Sequence, residues 1–256
     1  MPIVDDGDTE PLERFTIVLD APTGGALIGD VDTATVTIVD NDNVAVDYLP
    51  DLVPIGSTLT ERLSIDTSEQ PGRRLMRFST ELANAGTGPL EIWGGDASGS
   101  SQQVFQRIYQ YDGHTRDVLA GEFVYHPNHG HIHFEAFATY DLRLVDNGGA
   151  VIASGGKTSF CLINIRQPLP EVTAAAEVVH GRGGNSCGNI QGISAGHSDV
   201  YSAALDDQWI DVTDIADGTY WLEITADPTD RIRESDESNN VARVRVTLEN
   251  GNVRNA

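Results

Sequence analysis

Histidines cluster in one short stretch of the chain. Four of the seven lie at positions 126, 129, 131 and 133, and the last three alternate with other residues. Alternating residues on a β-strand share one face, so the rings of His129, His131 and His133 can meet one ion if the strand bends. Gly130 permits such a bend. Three neutral nitrogens suit copper or zinc and leave coordination positions open, so we predict a metal site and place His126 outside its ligand set.

The spacing of the histidines leaves two questions about this cluster open. A solvated histidine patch, or a ring hydrogen-bonded in the core, is the interpretation without a metal, and it suits one histidine better than three alternating ones. The spacing also does not distinguish zinc-dependent hydrolysis from copper redox chemistry.

Acidic residues far outnumber basic ones. The 256 residues include 39 Asp plus Glu against 16 Lys plus Arg, which gives a net charge of −23 and a pI near 4.4. This balance excludes nonspecific nucleic-acid binding, which depends on cations that displace phosphate counterions, and it argues against docking on anionic membranes. Of the basic residues 15 are Arg, a composition that favours a halophilic source because salt screens the repulsion between carboxylates. Lys157 is the only lysine, and a lysine can lose its proton and react where an arginine cannot.

The segments that must position these groups read as strands. Short alternating or β-branched runs are separated by turns rich in Gly, Asp, Asn and Pro, so we predict an all-β fold with an antiparallel β-sandwich core, long irregular loops and few helices. Residues 167–199 read as a long irregular excursion. The predicted strands are 15–19, 34–39, 75–82, 90–93, 104–111, 132–145, 157–165, 209–212, 219–226 and 241–248.

Neither a membrane span nor a leader is evident. No apolar run reaches the ~18 residues that a bilayer requires. The first residues lack the basic and apolar regions of a signal peptide, and we expect them to be the edge of a longer precursor or of a cloned fragment.

The N-terminal segment resembles part of a Calx-β repeat. Residues 3–43 contain Asp-Asp-Gly-Asp-Thr-Glu, then Phe-Thr-Ile-Val-Leu, then Thr-Val-Thr-Ile-Val-Asp-Asn-Asp, which are similar to the final strands of that module. We therefore predict a partial Calx-β-like segment over 1–43 and a main domain over 44–256. So few strands make a poor independent fold, so we expect them to pack on the main domain or to pair with another copy.

From about residue 49 to residue 246 the chain resembles the catalytic domain of lysyl oxidases. The resemblance depends on several motifs that occur in the same order and at similar spacing. They are Leu-Pro-Asp-Leu-Val-Pro at 49–54, His-Gly-His-Ile-His at 129–133, Gly-Lys-Thr-Ser-Phe-Cys-Leu at 156–162, Gln-Gly-Ile-Ser-Ala-Gly at 191–196, Asp-Val-Tyr at 199–201, Gln-Trp-Ile-Asp-Val-Thr-Asp at 208–214 and Glu-Ser-Asp-Glu-Ser-Asn-Asn at 234–240.

The resemblance implies a copper amine oxidase with a cofactor made from its own side chains. Copper would lie on the three histidines, and Lys157 and Tyr201 match the residues that become lysine tyrosylquinone. The family oxidises primary amines to aldehydes and releases ammonia and hydrogen peroxide. Asp199 precedes Tyr201 by two residues, so an extended backbone puts both on one face, and we expect it to be the base that removes the substrate's α-proton. A turn or cap carboxylate is the alternative role for Asp199.

The resemblance also implies a disulfide between Cys161 and Cys187, and with it an oxidising, extracellular location for a secreted protein. By a chain-entropy estimate the bridge stabilises the fold by roughly 3.5 kcal/mol. Two free buried thiols are the alternative. His197 and Asp207 occupy positions that are usually cysteines in animal relatives, which leaves open how rigidly Tyr201 is held.

A second metal site is implied at the turn 234–240. By resemblance, calcium would be held by oxygen ligands of Asp51, the Leu52 carbonyl, Glu234, Asp236, Asn239 and Asn240. Similar turns in immunoglobulin-like adhesion modules instead use these side chains to satisfy backbone groups.

The amino-acid sequence leaves three possible functions. The first is an amine oxidase acting with molecular oxygen on peptidyl lysine or small amines. The second is a noncatalytic adhesion module with a structural metal site, which leaves the histidines unexplained. The third is a zinc hydrolase, which leaves the match at Lys157 and Tyr201 accidental.

Overall fold

A computed structural model of the chain describes residues 13–24, 32–38, 46–98, 101–126, 130–146, 149–176 and 187–256. The chain separates into two compact units, residues 1–46 and 47–256. In the described ranges no helix is long and apolar enough to cross a bilayer. The secondary structure comprises the 3₁₀-helix Gly56–Thr60 and the strands β1 (Glu13–Val18), β2 (Thr33–Ile38), β3 (Asp47–Tyr48), β4 (Leu52–Pro54), β5 (Ser64–Asp66), β6 (Leu75–Arg77), β7 (Thr80–Asn84), β8 (Leu90–Ser98), β9 (Ser101–Gln110), β10 (Thr115–His126), β11 (His131–Phe134), β12 (Ala138–Leu144), β13 (Val151–Ser154), β14 (Ile190–Ile193), β15 (Ser198–Tyr201), β16 (Trp209–Asp211), β17 (Gly218–Ala226), β18 (Val241–Glu249) and β19 (Asn252–Asn255).

The smaller unit contributes an antiparallel hairpin. Strand β1 pairs with β2 over six residues, from Glu13 opposite Ile38 to Val18 opposite Thr33. Both strands lie at positions where alternating β-branched residues predict them. The assignment of this segment to a Calx-β repeat, and its boundary at residue 43, stay predictions.

In the described residues of the larger unit the strands form four antiparallel sheets, which confirms the all-β prediction. A six-stranded sheet has the order β11-β10-β9-β8-β14, with β3 added on β9, and a five-stranded sheet has the order β13-β12-β17-β18-β19. Two three-stranded sheets, β15-β7-β4 and β16-β6-β5, complete it. Every sheet contributes to one hydrophobic core, for example through Phe123, Tyr140, Leu52 and Met76, all of which are almost fully buried.

The strand predicted over 132–145 is broken in two. Strand β11 ends at Phe134, and a turn in which Ala136 has a φ of +56° leads into β12. The break moves the chain from the six-stranded to the five-stranded sheet, a change that no alternation pattern records. Similarly, part of the predicted irregular excursion forms β14 and the first residues of β15.

Residues 157–165 were predicted to form a strand, and this is wrong. The segment runs irregularly between two sheets and pairs with each at single points. The Phe160 backbone exchanges two hydrogen bonds with Phe134 of β11, at 2.7 and 3.0 Å, and the amides of Ile165 and Arg166 both donate to the Ser198 carbonyl of β15, at 2.8 and 3.2 Å. The segment therefore ties the histidine strand to the strand that ends at Tyr201.

Candidate active site

Two of the predicted ligands face each other on β11. The Nε2 atoms of His131 and His133 lie 2.9 Å apart, and the His133 ring is 2 % exposed. Two ligands that bind one ion at ~2.0 Å and at right angles are about 2.8 Å apart, so the separation fits a shared ion. Gly130 has a φ of +72°, the left-handed conformation that the predicted bend requires. His129, the third predicted ligand, lies outside the described residues.

Neighbouring groups fix the orientation of this pair. The His133 Nδ1 atom lies 3.3 Å from the Ser159 hydroxyl, which leaves Nε2 directed at His131. The backbone of His126 is paired with that of His131 across the β10–β11 hairpin. In the described part of the chain, no group of three or more His, Cys, Asp or Glu side chains could hold a metal ion.

Lys157 and Tyr201, 44 residues apart in sequence, meet in the fold. The Lys157 Nζ atom lies 5.8 Å from the centre of the Tyr201 ring and 5.6 Å from that of Phe160. The edge-to-face contact between Phe160 and Tyr201, with ring centres 4.7 Å apart, holds the phenol in place. Lys157 is 7 % exposed, and this burial lowers its pKa, although the Asp207 and Asp206 carboxylates oppose the shift.

The predicted disulfide is formed and takes part in the site. Cys161 and Cys187 are joined. The Tyr201 hydroxyl donates a 2.5 Å hydrogen bond to the Cys161 carbonyl, so the bridged residue also positions the phenol. Burial raises the pKa of Tyr201 well above its usual range, which keeps the hydroxyl protonated and able to donate this bond.

Asp199 lies at the buried end of the same site. Its side chain is 3 % exposed, and Oδ1 accepts a 2.9 Å hydrogen bond from the Val200 amide. Its Oδ2 atom makes no hydrogen bond of standard geometry among the described residues, although the Tyr201 hydroxyl and the Ile163 amide lie near enough to the carboxylate to lower its pKa. Burial raises the pKa of Asp199 well above the usual aspartate range. A buried carboxyl with an uncommitted oxygen and a raised pKa has the properties of a general base.

These groups surround one cavity of about 460 Å³. It brings together His131, His133, the disulfide and the three residues predicted to be catalytic. The first and last of these positions, His131 and Tyr201, are 70 residues apart in sequence. Its lining is His131, His133, Lys157, Cys161, Ile163, Ile165, Cys187, Asp199, Val200, Tyr201, Ala204, Leu205 and Asp206.

Sequence reasoning missed several of the residues that shape the cavity. Phe160 packs on Tyr201, Ser159 contacts His133, and Asp206 lies in the cavity wall. Phe160 and Ser159 fall inside the motif at 156–162, so their proximity to Lys157 in sequence was the available signal. Nothing in the local sequence marks Asp206 among the other exposed acids.

The two positions that depart from animal relatives do not form an alternative bridge. His197 Nδ1 lies 3.1 Å from the Ala195 carbonyl, within its own turn. Asp207 has a φ of +62°, a left-handed conformation that Asp tolerates better than most residues. Tyr201 is instead held by Phe160 and the Cys161 carbonyl.

The turn after β17 collects the residues predicted to bind calcium. Glu234 accepts hydrogen bonds from the Leu52 amide and from the Asn240 side chain, the latter at 2.9 Å. Asn239 donates to Asp51 at 2.8 Å. Asp236 is exposed and accepts hydrogen bonds from Ser238, an Asx-turn arrangement that lowers its pKa. The buried Oδ1 atoms of both asparagines are without a hydrogen-bond partner in the ranges described.

Comparison with known proteins agrees with the motifs. Residues 113–255 match the family model described as lysyl oxidase. The chain is 31% identical over 184 residues to lysyl oxidase homolog 4 of Mus musculus, covering 71% of this chain and 20% of that protein. It is 32% identical over 186 residues to lysyl oxidase homolog 2 of Gallus gallus, covering 71% and 19%. It is 34% identical over 171 residues to lysyl oxidase homolog 3 of Homo sapiens, covering 66% and 18%.

The chain spans about a fifth of the length of these curated relatives. The family model nevertheless covers more than half of this chain, including the histidine strand, Lys157 and Tyr201. The chain therefore belongs to the lysyl oxidase family.

Proposed function

We propose that the protein is a copper- and quinone-dependent amine oxidase, which deaminates primary amines to aldehydes and releases ammonia and hydrogen peroxide. The observation that carries the proposal is the approach of the only lysine to within 5.8 Å of the Tyr201 ring centre. The same cavity is lined by His131 and His133, so a redox metal held by them would lie beside the ring to be modified.

The donor set supports copper. His131 and His133 present neutral nitrogens at a separation that suits one ion, and His129 would complete a three-nitrogen set. When bound, copper with dioxygen supplies the oxidising power that turns the Tyr201 ring, joined to Lys157, into the quinone that accepts electrons from a substrate amine. Ser159 holds His133 in the orientation that keeps Nε2 available.

The burial of Lys157 favours the chemical state that the cross-link requires. Only a neutral amine can form the new bond to the ring, and burial moves the pKa of Lys157 downward. An arginine at this position would stay charged. The Phe160 ring prevents Tyr201 from turning away, so the amine needs to move only within the cavity.

Asp199 is the base in this proposal. In its ionised form the Asp199 carboxylate, which lines the cavity, takes the α-proton of the bound amine. Its raised pKa makes it a stronger base than an exposed aspartate. Ile163, Ile165 and Leu205 give the cavity an apolar part of its lining.

The substrates would be lysine side chains or small primary amines, with molecular oxygen as the second reactant. The disulfide between Cys161 and Cys187 supports an extracellular location, because such bonds persist in oxidising compartments. The net charge of −23 favours cationic substrates over nucleic acids and anionic membranes.

Calcium at the turn 234–240 is a separate part of the proposal. The two unpartnered asparagine oxygens, the Glu234 carboxylate and Asp51 are hard ligands of the kind that calcium prefers. Asp236 and the Leu52 carbonyl would complete the set. Added calcium should raise the melting temperature of a chelator-treated sample, and Asn239→Ala should remove that response. Identical melting curves with and without calcium would contradict the site.

A redox-cycling quinone stain on the denatured, copper-loaded protein tests the enzymatic proposal. The wild-type chain should stain and should release hydrogen peroxide from a primary amine, whereas Lys157→Arg should do neither. Peptide mapping should find residues 157 and 201 in one covalently linked fragment. A wild-type protein that was loaded with copper under oxygen and remained unstained and unlinked would overturn the proposal in favour of a noncatalytic or hydrolytic role.

A further inference from the structure

The side chain of Gln191 joins separate segments of the chain that border the cavity. It is 1 % exposed. Its Oε1 atom accepts a 3.0 Å hydrogen bond from the Leu162 amide, and its Nε2 atom donates to the Ile132 carbonyl at 3.1 Å and to the Gly188 carbonyl at 3.2 Å. One buried amide group therefore connects the histidine strand β11, the segment over 157–165 and the residue that follows one cysteine of the disulfide.

The amide of Gln191 occupies the place of a direct backbone hydrogen bond. Strand β11 is an end strand of its sheet in the described chain, and along its outer edge Phe134 forms an antiparallel bridge with Phe160. Two residues from the bridge on each segment, Ile132 lies opposite Leu162, and its carbonyl points to the same side as the Phe134 backbone groups. Here the Leu162 amide donates to Gln191 and the Ile132 carbonyl accepts from Gln191. The segments thus pair directly at the bridge and are held apart by an inserted amide group next to it.

The cavity opens where these two segments separate. Between the bridge and the inserted amide, His133 lies opposite Cys161, and both residues line the cavity. The Cys161 carbonyl accepts the hydrogen bond of the Tyr201 hydroxyl, so the separation of the segments determines how far the phenol lies from the imidazoles. The amide of Gly192 also donates to the Leu162 carbonyl at 3.0 Å, so strand β14 holds this segment at two adjacent points.

Resting on the function proposed above, we propose that Gln191 is a positioning residue for formation of the cofactor. It acts through the two backbones that it bridges, and it sets the distance between the histidine strand and the segment that holds Tyr201. Its effect is on the relation between the two halves of the site and not on either half alone. Alternation on β11 and the contact with Ser159 orient the imidazoles, and Phe160 orients the phenol.

Formation of the cofactor depends on this distance because the ring is oxidised beside the metal. One molecule of dioxygen puts one oxygen atom on the Tyr201 ring and leaves the other as water, after which the Lys157 nitrogen bonds to the ring. A second molecule of dioxygen removes two hydrogens from the product and leaves as hydrogen peroxide. A ring that lies too far from the histidines would start this sequence slowly even when the metal is fully bound.

A buried glutamine can also serve only to satisfy backbone groups, and Gln106 provides that comparison. Gln106 is 0 % exposed, its Nε2 donates to the Arg233 carbonyl at 2.9 Å and its Oε1 accepts the Arg233 amide at 2.8 Å, outside the cavity lining. Methionine is as long as glutamine and forms none of these hydrogen bonds. A purely structural role for Gln191 predicts that Gln191→Met and Gln106→Met both lose stability and nothing else.

The time course of cross-linking tests the inference. Metal-free protein is mixed with saturating copper under oxygen, and peptide mapping follows the fragment that joins residues 157 and 201. The rate in the folded fraction of Gln191→Met should fall about tenfold or more, because a small displacement of a reacting group is costly. Gln106→Met should mature at the wild-type rate. Copper affinity of Gln191→Met, measured by competition with a chromophoric chelator, should equal that of wild type.

A milder variant covers the case in which Gln191→Met does not fold. Gln191→Asn keeps the amide group but is one methylene shorter, so it reaches Leu162 and Ile132 together only if the two backbones move. We expect cross-linking to slow about threefold. Wild-type rates in both variants would overturn the inference. A copper affinity about tenfold lower, with a normal rate at saturating copper, would also overturn it, because that is the effect of a disoriented ligand.

A measurement on the metal-free protein separates this inference from the oxidase proposal. With 3-fluorotyrosine incorporated, the fluorine NMR resonance of residue 201 is identified by its loss in Tyr201→Phe. The resonance should shift or split in Gln191→Met and should stay in place in Gln106→Met. An unchanged resonance in Gln191→Met would overturn the inference even if the wild-type enzyme oxidises amines. A changed resonance, together with a wild-type chain that never cross-links, would support the spacing role of Gln191 and overturn the oxidase instead.

Discussion

The cavity and the turn at 234–240 are both rich in buried polar side chains, but they use them differently. In the turn, both carboxylate oxygens of Glu234 accept hydrogen bonds, one from the Leu52 amide and one from the Asn240 side chain. Asp51 accepts a hydrogen bond from Asn239. In the cavity, Asp199 keeps one oxygen uncommitted in the described part of the chain, and Lys157 presents its amine to an aromatic ring.

The difference shows how composition alone misleads about function. The turn has more potential ligands than the cavity, and hydrogen bonds within the chain occupy its carboxylates Glu234 and Asp51, although the Oδ1 atoms of Asn239 and Asn240 have no partner in the described residues. Groups available for chemistry are those that the fold buries without satisfying, because burial makes them reactive and the missing partner leaves room for a ligand. Substitutions in the cavity should therefore change activity more than stability, and substitutions in the turn should do the reverse.

Tyr201→Phe should produce the largest effect. Without the hydroxyl no quinone can form, so staining and amine-dependent release of hydrogen peroxide should both fall below detection. The ring still packs on Phe160, and loss of the bond to the Cys161 carbonyl should cost only about 1 kcal/mol of unfolding free energy. Tyr220→Phe is a matched control, because the Tyr220 hydroxyl also donates to a backbone carbonyl, that of Ala216 at 2.8 Å. Equal activity losses in the two variants would contradict the distinction between the regions.

Asp199→Asn should reduce amine oxidation by about 10²- to 10⁴-fold, the usual contribution of a general base. The loss should appear in proton abstraction, measured by the isotope effect with an α-deuterated amine, while the quinone still forms. Asp227→Asn is the control, since burial also raises the pKa of Asp227 but its Oδ2 accepts the Arg231 and Ile232 amides at 2.7 Å, outside the cavity lining. Unchanged proton abstraction in Asp199→Asn would remove Asp199 from the role.

The raised pKa of Asp199 also predicts a pH dependence of stability. Between the ordinary value of 3.8 and the raised value, the folded protein retains a proton that the unfolded chain releases. The contribution of this carboxyl is therefore fully present below pH 3.8 and is lost as the pH rises through the folded pKa. Asn does not ionise, so the Asp199→Asn variant does not lose stability in this way as the pH rises. The difference in melting temperature, variant minus wild type, should therefore be larger at about pH 8 than at about pH 4. A constant difference would contradict the shift.

Glu234→Ala should act mainly on stability. The variant leaves the buried Leu52 amide without its acceptor and the Asn240 side chain with only its 3.3 Å bond to Glu237, which should cost ~3 kcal/mol in denaturant unfolding. Glu237→Ala removes a more exposed carboxylate from the same turn and should cost far less. The fraction of the Glu234→Ala protein that folds should stain normally for the quinone. A folded but unstained variant would show that the turn acts on the cavity.

Ser159→Ala should have the smallest effect. Losing the 3.3 Å contact with His133 Nδ1 frees the ring to turn, and copper affinity should fall about tenfold. Competition with a chromophoric chelator measures this without any need for turnover. Ser238→Ala, whose hydroxyl donates to Asp236 in the turn, should leave the affinity unchanged. An unaltered affinity in Ser159→Ala would show that the hydroxyl does not orient the ring.

Much of the site was predictable because its signals are local. The histidine alternation placed His131 and His133 on one face of a strand, and Gly130, expected to permit a bend, has a φ of +72°. The disulfide and the proximity of Lys157 to Tyr201 were predicted only from the resemblance to a known family, which the order of the motifs carries. The spacing of these residues alone does not predict either contact. Strand prediction failed over 157–165, because pairing with two sheets at single points produces no periodicity.

By itself the sequence determined which chemistry was possible: a single lysine, alternating imidazoles, two cysteines and a strong excess of acid. Side-chain type and spacing along a strand are written in the chain, so these features need no tertiary contact. Only the tertiary structure decided which carboxylates are free to act. Asp199 and Glu234 are both buried acids, and what separates them is how fully their oxygens are satisfied. Both oxygens of Glu234 accept direct hydrogen bonds, whereas Asp199 Oδ2 makes none in the described residues, a difference that depends on residues far away in sequence.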